Sequence, residues 1–153
     1  PVSPLPARDG GLELFVTDGA LAAALTKRGY AISSECSVRV RGGFYVASIE
    51  SQLQSAIEGS EARGVVETVA PSGGEGSNRW LQVTVVGLRP HDLRLAFESL
   101  GLEANRILRT RYGPIQMDRA LARGRSRALT EGELKSLWET AQPRASGSRV
   151  PRR

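Results

Sequence analysis

The chemistry available to this chain lies mostly in arginine. Of its 21 basic residues only Lys27 and Lys135 are lysine, and the other 19 are arginine. Several recur in strand-like runs: Arg39 and Arg41 in "VRVRG", and Arg106, Arg109 and Arg111 in "NRILRTRYG". A planar guanidinium grips two phosphate oxygens at once and stacks on bases, so this pattern suits a polyanion partner. Other reactive types are scarce. A single cysteine, Cys36, excludes an internal disulfide and a cysteine-cluster metal site, and a single histidine, His91, leaves no His-based zinc site. We therefore expect no metal and no cofactor. Cys36 reads as a small half-buried residue; a reactive thiol would need positive surroundings, which Arg39 could supply. Arg94 has Glu98 one helical turn away for a surface pair. Gly73, Gly74 and Gly76 lack the strand-then-helix setting of a phosphate loop and read as a turn.

A chain of 153 residues fits one domain, and 40% hydrophobic with 24% charged residues is ordinary for a globular protein. We assign residues 1–142 to that domain and expect 143–153, "PRASGSRVPRR", to be a basic disordered tail. Net charge is +5 and the pI is about 10.1. No apolar run reaches the roughly 20 residues needed to span a bilayer, and no secretion signal is recognisable, so neither a membrane partner nor secretion is expected. "GLELFV" (11–16) reads as a strand. "ALAAALTKR" reads as a helix with Asp18 as N-cap, ended by Gly29. "ECSVRVRG" (35–42) is a strand with Arg39 and Arg41 on one face. Residues 48–59 place Ile49, Leu53, Ala56 and Ile57 at helical spacing. "GVVETVAP" and "RWLQVTVVG" are strands joined by a flexible turn over 71–78. Pro90 opens a helix carrying Leu93, Ala96, Phe97 and Leu100. In "ANRILRTRYG" one strand face must hold Ile107, Arg109 and Arg111 together, a conflict that a polyanion would resolve. Thr130 and Glu133 form a capping box for a last helix. The order implies an α+β fold with a mixed, largely antiparallel sheet and flanking helices.

From Arg106 to Trp138, Tyr112, Gly113, Pro114, Gly124, Arg127, Leu129 and Thr130 follow in the order and spacing of a known pattern. The chain there resembles the catalytic domain of bacterial ribosomal RNA pseudouridine synthases of the RsuA/RluB kind. The likeness extends backwards through Ser77, Asn78, Trp80, Arg89, His91, Arg94, Phe97 and Gly101. It continues through "YAISSECSVRVRGGF" to "PLPARDGGLELFVTDG", the counterpart of the family's Arg-Leu-Asp-x-x-Thr-x-Gly stretch. It covers about Val2 to Trp138. The family's separate N-terminal RNA-binding domain and first catalytic-domain strand find no counterpart, so a partner chain is expected over an exposed sheet edge.

The resemblance implies isomerisation of uridine in RNA without a cofactor. A carboxylate acts at the sugar of a flipped nucleotide, a tyrosine packs on the base, and a basic residue pairs with the carboxylate. Carried across without a gap, the aspartate falls on Pro6, its neighbouring arginine on Pro4, the tyrosine on Cys36 and the basic partner on Arg94. Pro6 has no titratable group. The ungapped reading therefore implies a pseudoenzyme with no intact catalytic position. It would hold ribosomal RNA as a ribosome component or ribosome-assembly factor, among ribosomal or assembly proteins. RNA contacts are expected from Arg39, Arg41, Arg89, His91, Arg94, Arg109, Arg111, Arg123, Arg125 and Arg127. A bacterial cytoplasm and an organellar, mitochondrial ribosome both fit. Two alternatives stand. The first is an active synthase with a displaced carboxylate, for which Asp9, on the family's Thr position, is the candidate. The second is a protein-interaction subunit without RNA contact.

Overall fold

The computed structural model describes residues 1–143; from residue 144 onward, the expected basic tail lies outside the described residues. Chain order among them is β1 (Gly10–Gly11), α1 (Gly19–Lys27), a 3-10 turn (Gly29–Ala31), β2 (Ser33–Arg41), α2 (Val46–Glu58), β3 (Val65–Glu75), β4 (Asn78–Val86), α3 (Pro90–Ser99), β5 (Glu103–Tyr112), β6 (Ile115–Gln116) and α4 (Glu131–Ala141). The sheet runs β1-β5-β2-β4-β3, with β6 paired to β5. Only β1 is parallel to its neighbour. This is the expected α+β class with a mixed, largely antiparallel sheet.

Alternation builds the central strand. Ser34, Cys36, Val38 and Val40 of β2 are buried, while Glu35, Ser37 and Arg39 between them are partly covered. Leu81, Val83 and Val85 of β4 repeat the pattern. Their apolar face meets Ile49, Leu53 and Ile57 of α2 and Leu93, Ala96 and Phe97 of α3, forming the larger core. A second cluster joins Leu21 and Leu25 of α1 to Leu137 of α4, with Val2, Leu14, Ile32, Tyr112 and Ile115. The helix starts are those expected. Asp18 accepts the Ala20 and Leu21 amides, and Thr130 and Glu133 close the capping box of α4.

Two expectations fail locally. The run 11–16 is not a strand. Pairing is confined to Gly10–Gly11 and an isolated Val2–Leu14 bridge, Glu13 and Phe15 point to solvent, and Gly11 turns the chain at φ +101°. An apolar-looking run thus became an anchored edge segment with one buried side chain, Leu14. The 71–78 segment is not a flexible loop either. β3 continues through it, pairing Gly74 with Arg79 and Glu75 with Asn78, and only Gly76 and Ser77 turn. A Cβ on Gly74 would meet the Asn78 carbonyl at 2.5 Å, so glycine here permits strand pairing instead of preventing it.

Gly11 matters most for the site, because it brings β1 against β5. A Cβ there would lie 2.2 Å from the Arg109 carbonyl oxygen. Gly11→Ala should destabilise the fold by about 1–3 kcal/mol, through backbone strain and loss of the close approach. Denaturant unfolding measures this, and an unchanged midpoint would contradict it.

Candidate functional site

Arg94 rides on α3, whose start is set by Pro90 in the first turn and by Asp92 accepting the Arg89 amide at 2.8 Å. The helix turns Leu93, Ala96 and Phe97 into the core and carries Arg94 with them, 3% exposed. It does not pair with Glu98 on the surface. Its partner is Asp9. The Asp9 amide donates to the Pro6 carbonyl at 2.9 Å, closing a tight turn, and β1 pairing of Gly10 with Leu108 and Gly11 with Arg109 docks that turn on β5. Arg94 Nη1 donates to Asp9 Oδ2 at 3.0 Å, and Nη2 makes a second, shorter bond to Oδ1. The two side chains are 4% and 0% exposed. Arg94 Nε is buried and has no partner among the described residues, leaving one donor free. An isolated buried charge costs several kcal/mol, so the pair is tolerable only because each charge neutralises the other.

The positions of the ungapped carry-over look different in this light. Pro6 lies in the turn and supplies a carbonyl; the carboxylate facing Arg94 comes from three residues further on. Cys36 is fully buried, not half-buried, and stands opposite Arg109 across β2 and β5. Burial pushes its thiol up to about 12, against the pull of the Arg109 cation and with Asp9 and Glu35 adding to the rise. This is the reverse of a reactive cysteine.

Beside the Asp9 turn opens a cleft of about 270 Å³ lined by Arg8, Asp9, Arg39, Asn105, Arg106 and Arg123, with Ala7 and Gly10. None of its four guanidinium groups makes an ion pair among the described residues. Arg39 and Arg106 are direct cross-strand partners, a like-charge juxtaposition that is unfavourable without an anion. Arg39 also lies 6.0 Å from the Trp80 ring and keeps a buried, unpartnered Nε. Guanidinium groups placed this way complement an anion such as phosphate.

Other arginines nominated from sequence serve elsewhere. Arg109 is buried and spends its donors on the protein: Nε to the Leu12 carbonyl at 3.0 Å, Nη1 to Ser3 Oγ at 3.2 Å and Nη2 to the Ser3 carbonyl at 2.9 Å. Its guanidinium stacks 5.4 Å from the Tyr112 ring, and burial lowers its pKa while raising that of Tyr112. Arg111 donates to Ser33 Oγ and the Gly113 carbonyl and pairs with Glu35 at 3.4 Å. The expected sharing of one strand face by Ile107, Arg109 and Arg111 does not occur: the slip between Glu35 and Cys36 turns Arg111 to the opposite face, and the protein's own oxygens answer both arginines. Arg127 bridges Asp118 at 3.1 Å and Glu133 at 2.8 Å, and its hydrogen bonds hold the Glu133 carboxyl down to about 2. Arg41 and Arg125 are exposed and lie outside the cleft lining. Arg89, paired with Asp92, and His91 line a separate cavity of about 530 Å³ between α2 and α3. Of the expected contacts, the structure gathers Arg39 and Arg123 at the cleft, next to the Arg94 pair. Arg8 and Asn105 are not among the expected contacts, and Arg106 enters only as part of the Arg-rich strand. Arg8 and Asp9 adjoin in "ARDGG", and Arg106 stands in the Arg-rich strand, so both signals were visible; their convergence was not.

No family model matches the chain. Ribosomal large subunit pseudouridine synthase B of Yersinia pestis is 34% identical over 135 residues, 88% of this chain and 41% of that protein. Its Pseudomonas aeruginosa counterpart is 38% identical over 130 residues, 84% of this chain and 33% of that protein. The chain belongs to the ribosomal RNA pseudouridine synthase family. It spans less than half the length of these relatives. A solved pseudouridylate synthase shares the fold of this synthase-family chain, with a TM-score of 0.61 at 19% identity over 78% of this chain and 51% of its own. No helix among the described residues is long and apolar enough to cross a membrane, and no cluster of metal-ligating residues occurs among them.

The native fold favours the neutral Cys36 thiol. That contribution is complete below the ordinary value of 9.0 and is lost as pH climbs toward about 12. At pH 8 iodoacetamide should leave Cys36 unmodified in the native protein and alkylate it readily in guanidinium. Native labelling at the rate of a free thiol would show an accessible thiolate instead.

Proposed function

We propose that this chain is the RNA-binding catalytic module of a ribosomal RNA pseudouridine synthase in which Asp9 supplies the carboxylate. The observation that carries the reading is the Asp9–Arg94 pair beside a cleft of unpaired arginines. In this family resemblance the basic residue and the carboxylate are partners. Arg94 keeps the helix position of that partner, and Asp9 meets it in Pro6's stead. Arg8, Arg39, Arg106 and Arg123 would hold phosphates flanking the target nucleotide. The uridine C1′–N1 bond breaks with help from Asp9, the base turns, C1′ bonds to C5, and the C5 proton leaves as the N1 proton returns. Substrate and product are isomers, so the balance requires no cofactor. The bacterial relatives make large-subunit ribosomal RNA in a bacterial cytoplasm the first substrate to try.

The test incubates the protein with ribosomal RNA and reads pseudouridine as a carbodiimide adduct that stops reverse transcriptase. Asp9→Asn, which keeps a hydrogen bond to Arg94, should reduce turnover to background. Equal turnover in that variant would end the role of Asp9.

A second reading is a silent RNA-holding homologue, favoured by Cys36 in the tyrosine position and by the full cover over the Asp9 carboxylate. It anticipates RNA binding without turnover in the wild type. Both readings expect affinity to fall with salt, and replacing Arg39, Arg106 or Arg123 by alanine should each reduce the salt slope by about one. A filter-binding titration between low and moderate salt checks this, and unchanged slopes would remove the cleft from RNA contact.

A further inference from the structure

Asp9 sits within a loop whose two ends are fastened by one side chain. Arg109 reaches back from β5 to Leu12 on one side of the loop and to Ser3 on the other, with three donated hydrogen bonds between 2.9 and 3.2 Å. The backbone adds to the clasp. The Leu12 amide donates to the Arg109 carbonyl at 2.7 Å, and the Val2 amide donates to the Leu14 carbonyl at 2.7 Å. Between these ends, the Leu5 amide donates to Glu13 Oε1 at 3.0 Å, and Asp9 closes its turn on Pro6. Ser3 is held at φ +50°, a left-handed conformation that a non-glycine residue adopts at a cost. Its carbonyl and hydroxyl both face the Arg109 guanidinium, which explains why that conformation persists. Arg109 itself is 3% exposed and makes no ion pair among the described residues; its partners are neutral oxygens. A buried cation answered mainly by carbonyl and hydroxyl oxygens on a loop is a costly arrangement for plain stability. It is an effective one for fixing where that loop lies.

We infer that Arg109 is the positioning residue of the site: it clasps Ser3 and Leu12 so that the intervening loop delivers Asp9 to Arg94. The inference rests on the reading of Asp9 as the site carboxylate for its effect on turnover, but not for its effect on the loop. Arg109 does not bond Asp9, so its influence passes through the backbone of residues 3–12. A displacement of about 1 Å at a reacting group can lower a rate on the order of 100-fold while leaving substrate binding elsewhere intact.

The test uses the 153-residue chain carrying Arg109→Met or Arg109→Lys, with two readouts. The first is amide hydrogen exchange. In Arg109→Met, amides of Leu5, Asp9 and Leu12 should exchange about tenfold faster or more, while Val83 in the core keeps its protection. Arg109→Lys, with one ammonium for three bonds, should fall between. The second readout is single-turnover isomerisation. The rate should drop about 100-fold in Arg109→Met with RNA half-saturation within about twofold of wild type, and lysine should restore part of the rate. Unchanged loop protection in Arg109→Met overturns the clasp, and lost protection with an undiminished rate overturns the positioning role. If Asp9→Asn leaves turnover unaltered, the catalytic reading fails by itself and exchange alone decides the clasp. Should Arg109→Met not fold, Ser3→Ala removes one bond and keeps the cation; faster exchange at Leu5 supports the clasp, and no change refutes it.

Discussion

A carboxylate and a guanidinium closed off from water, Asp9 with Arg94, bind the N-terminal turn to α3. Neither charge tolerates separation there, because the surroundings that exclude water would then face a bare ion. The elements that meet at this contact are consequently fixed relative to one another. β1 needs only two residues because Gly10 and Gly11 let it lie against β5, and α3 needs its proline start to bring Arg94 inward. A site formed this way borrows its precision from the sheet and the helix, although the acidic group itself sits on a turn.

The arginines divide by what answers them. Arg94, Arg109, Arg111 and Arg127 are answered by the protein's own carboxylates, carbonyls and hydroxyls, and they act as internal fastenings. Arg8, Arg39, Arg106 and Arg123 are left facing one another across a cleft. A net positive charge spread over a surface speaks to solubility and nonspecific attraction. Like charges brought together by strand pairing repel one another, and an anion seated between them would relieve that repulsion. The pI of about 10.1 is the sum of both groups and cannot separate them.

Periodicity made most of the scaffold legible. Burial alternates along β2 and β4 as written, and the stripes of α2 and α3 face the core as their spacing requires. Caps were equally plain, since Asp18 and the Thr130–Glu133 pair act through neighbours a few residues away. The misreadings came where distant backbone decides the outcome. "GLELFV" has strand composition, but Gly11 diverts it and its would-be neighbours are few. "PSGGE" has loop composition, yet the close approach of Asn78 and Arg79 turns it into strand. The site suffered most from this limit. Matching residues one for one put Pro6 opposite Arg94, whereas a turn of the chain brings Asp9 there, and nothing in local spacing measures an 85-residue reach.

The pairing of β2 with β5 slips twice, between Glu35 and Cys36 and between Arg39 and Val40. Each slip adds a residue to β5 and hands its following side chains to the opposite flank. The extra residues, Asn105 and Thr110, return Ala104 and Tyr112 to the buried side of a strand whose Arg106 and Arg109 are parted by ordinary alternation. The chain length of β5 is therefore as constrained as its composition. Losing a residue from the unbroken run between Arg106 and Arg109, such as Leu108, would keep every arginine in the molecule while putting both of these on one side of the sheet.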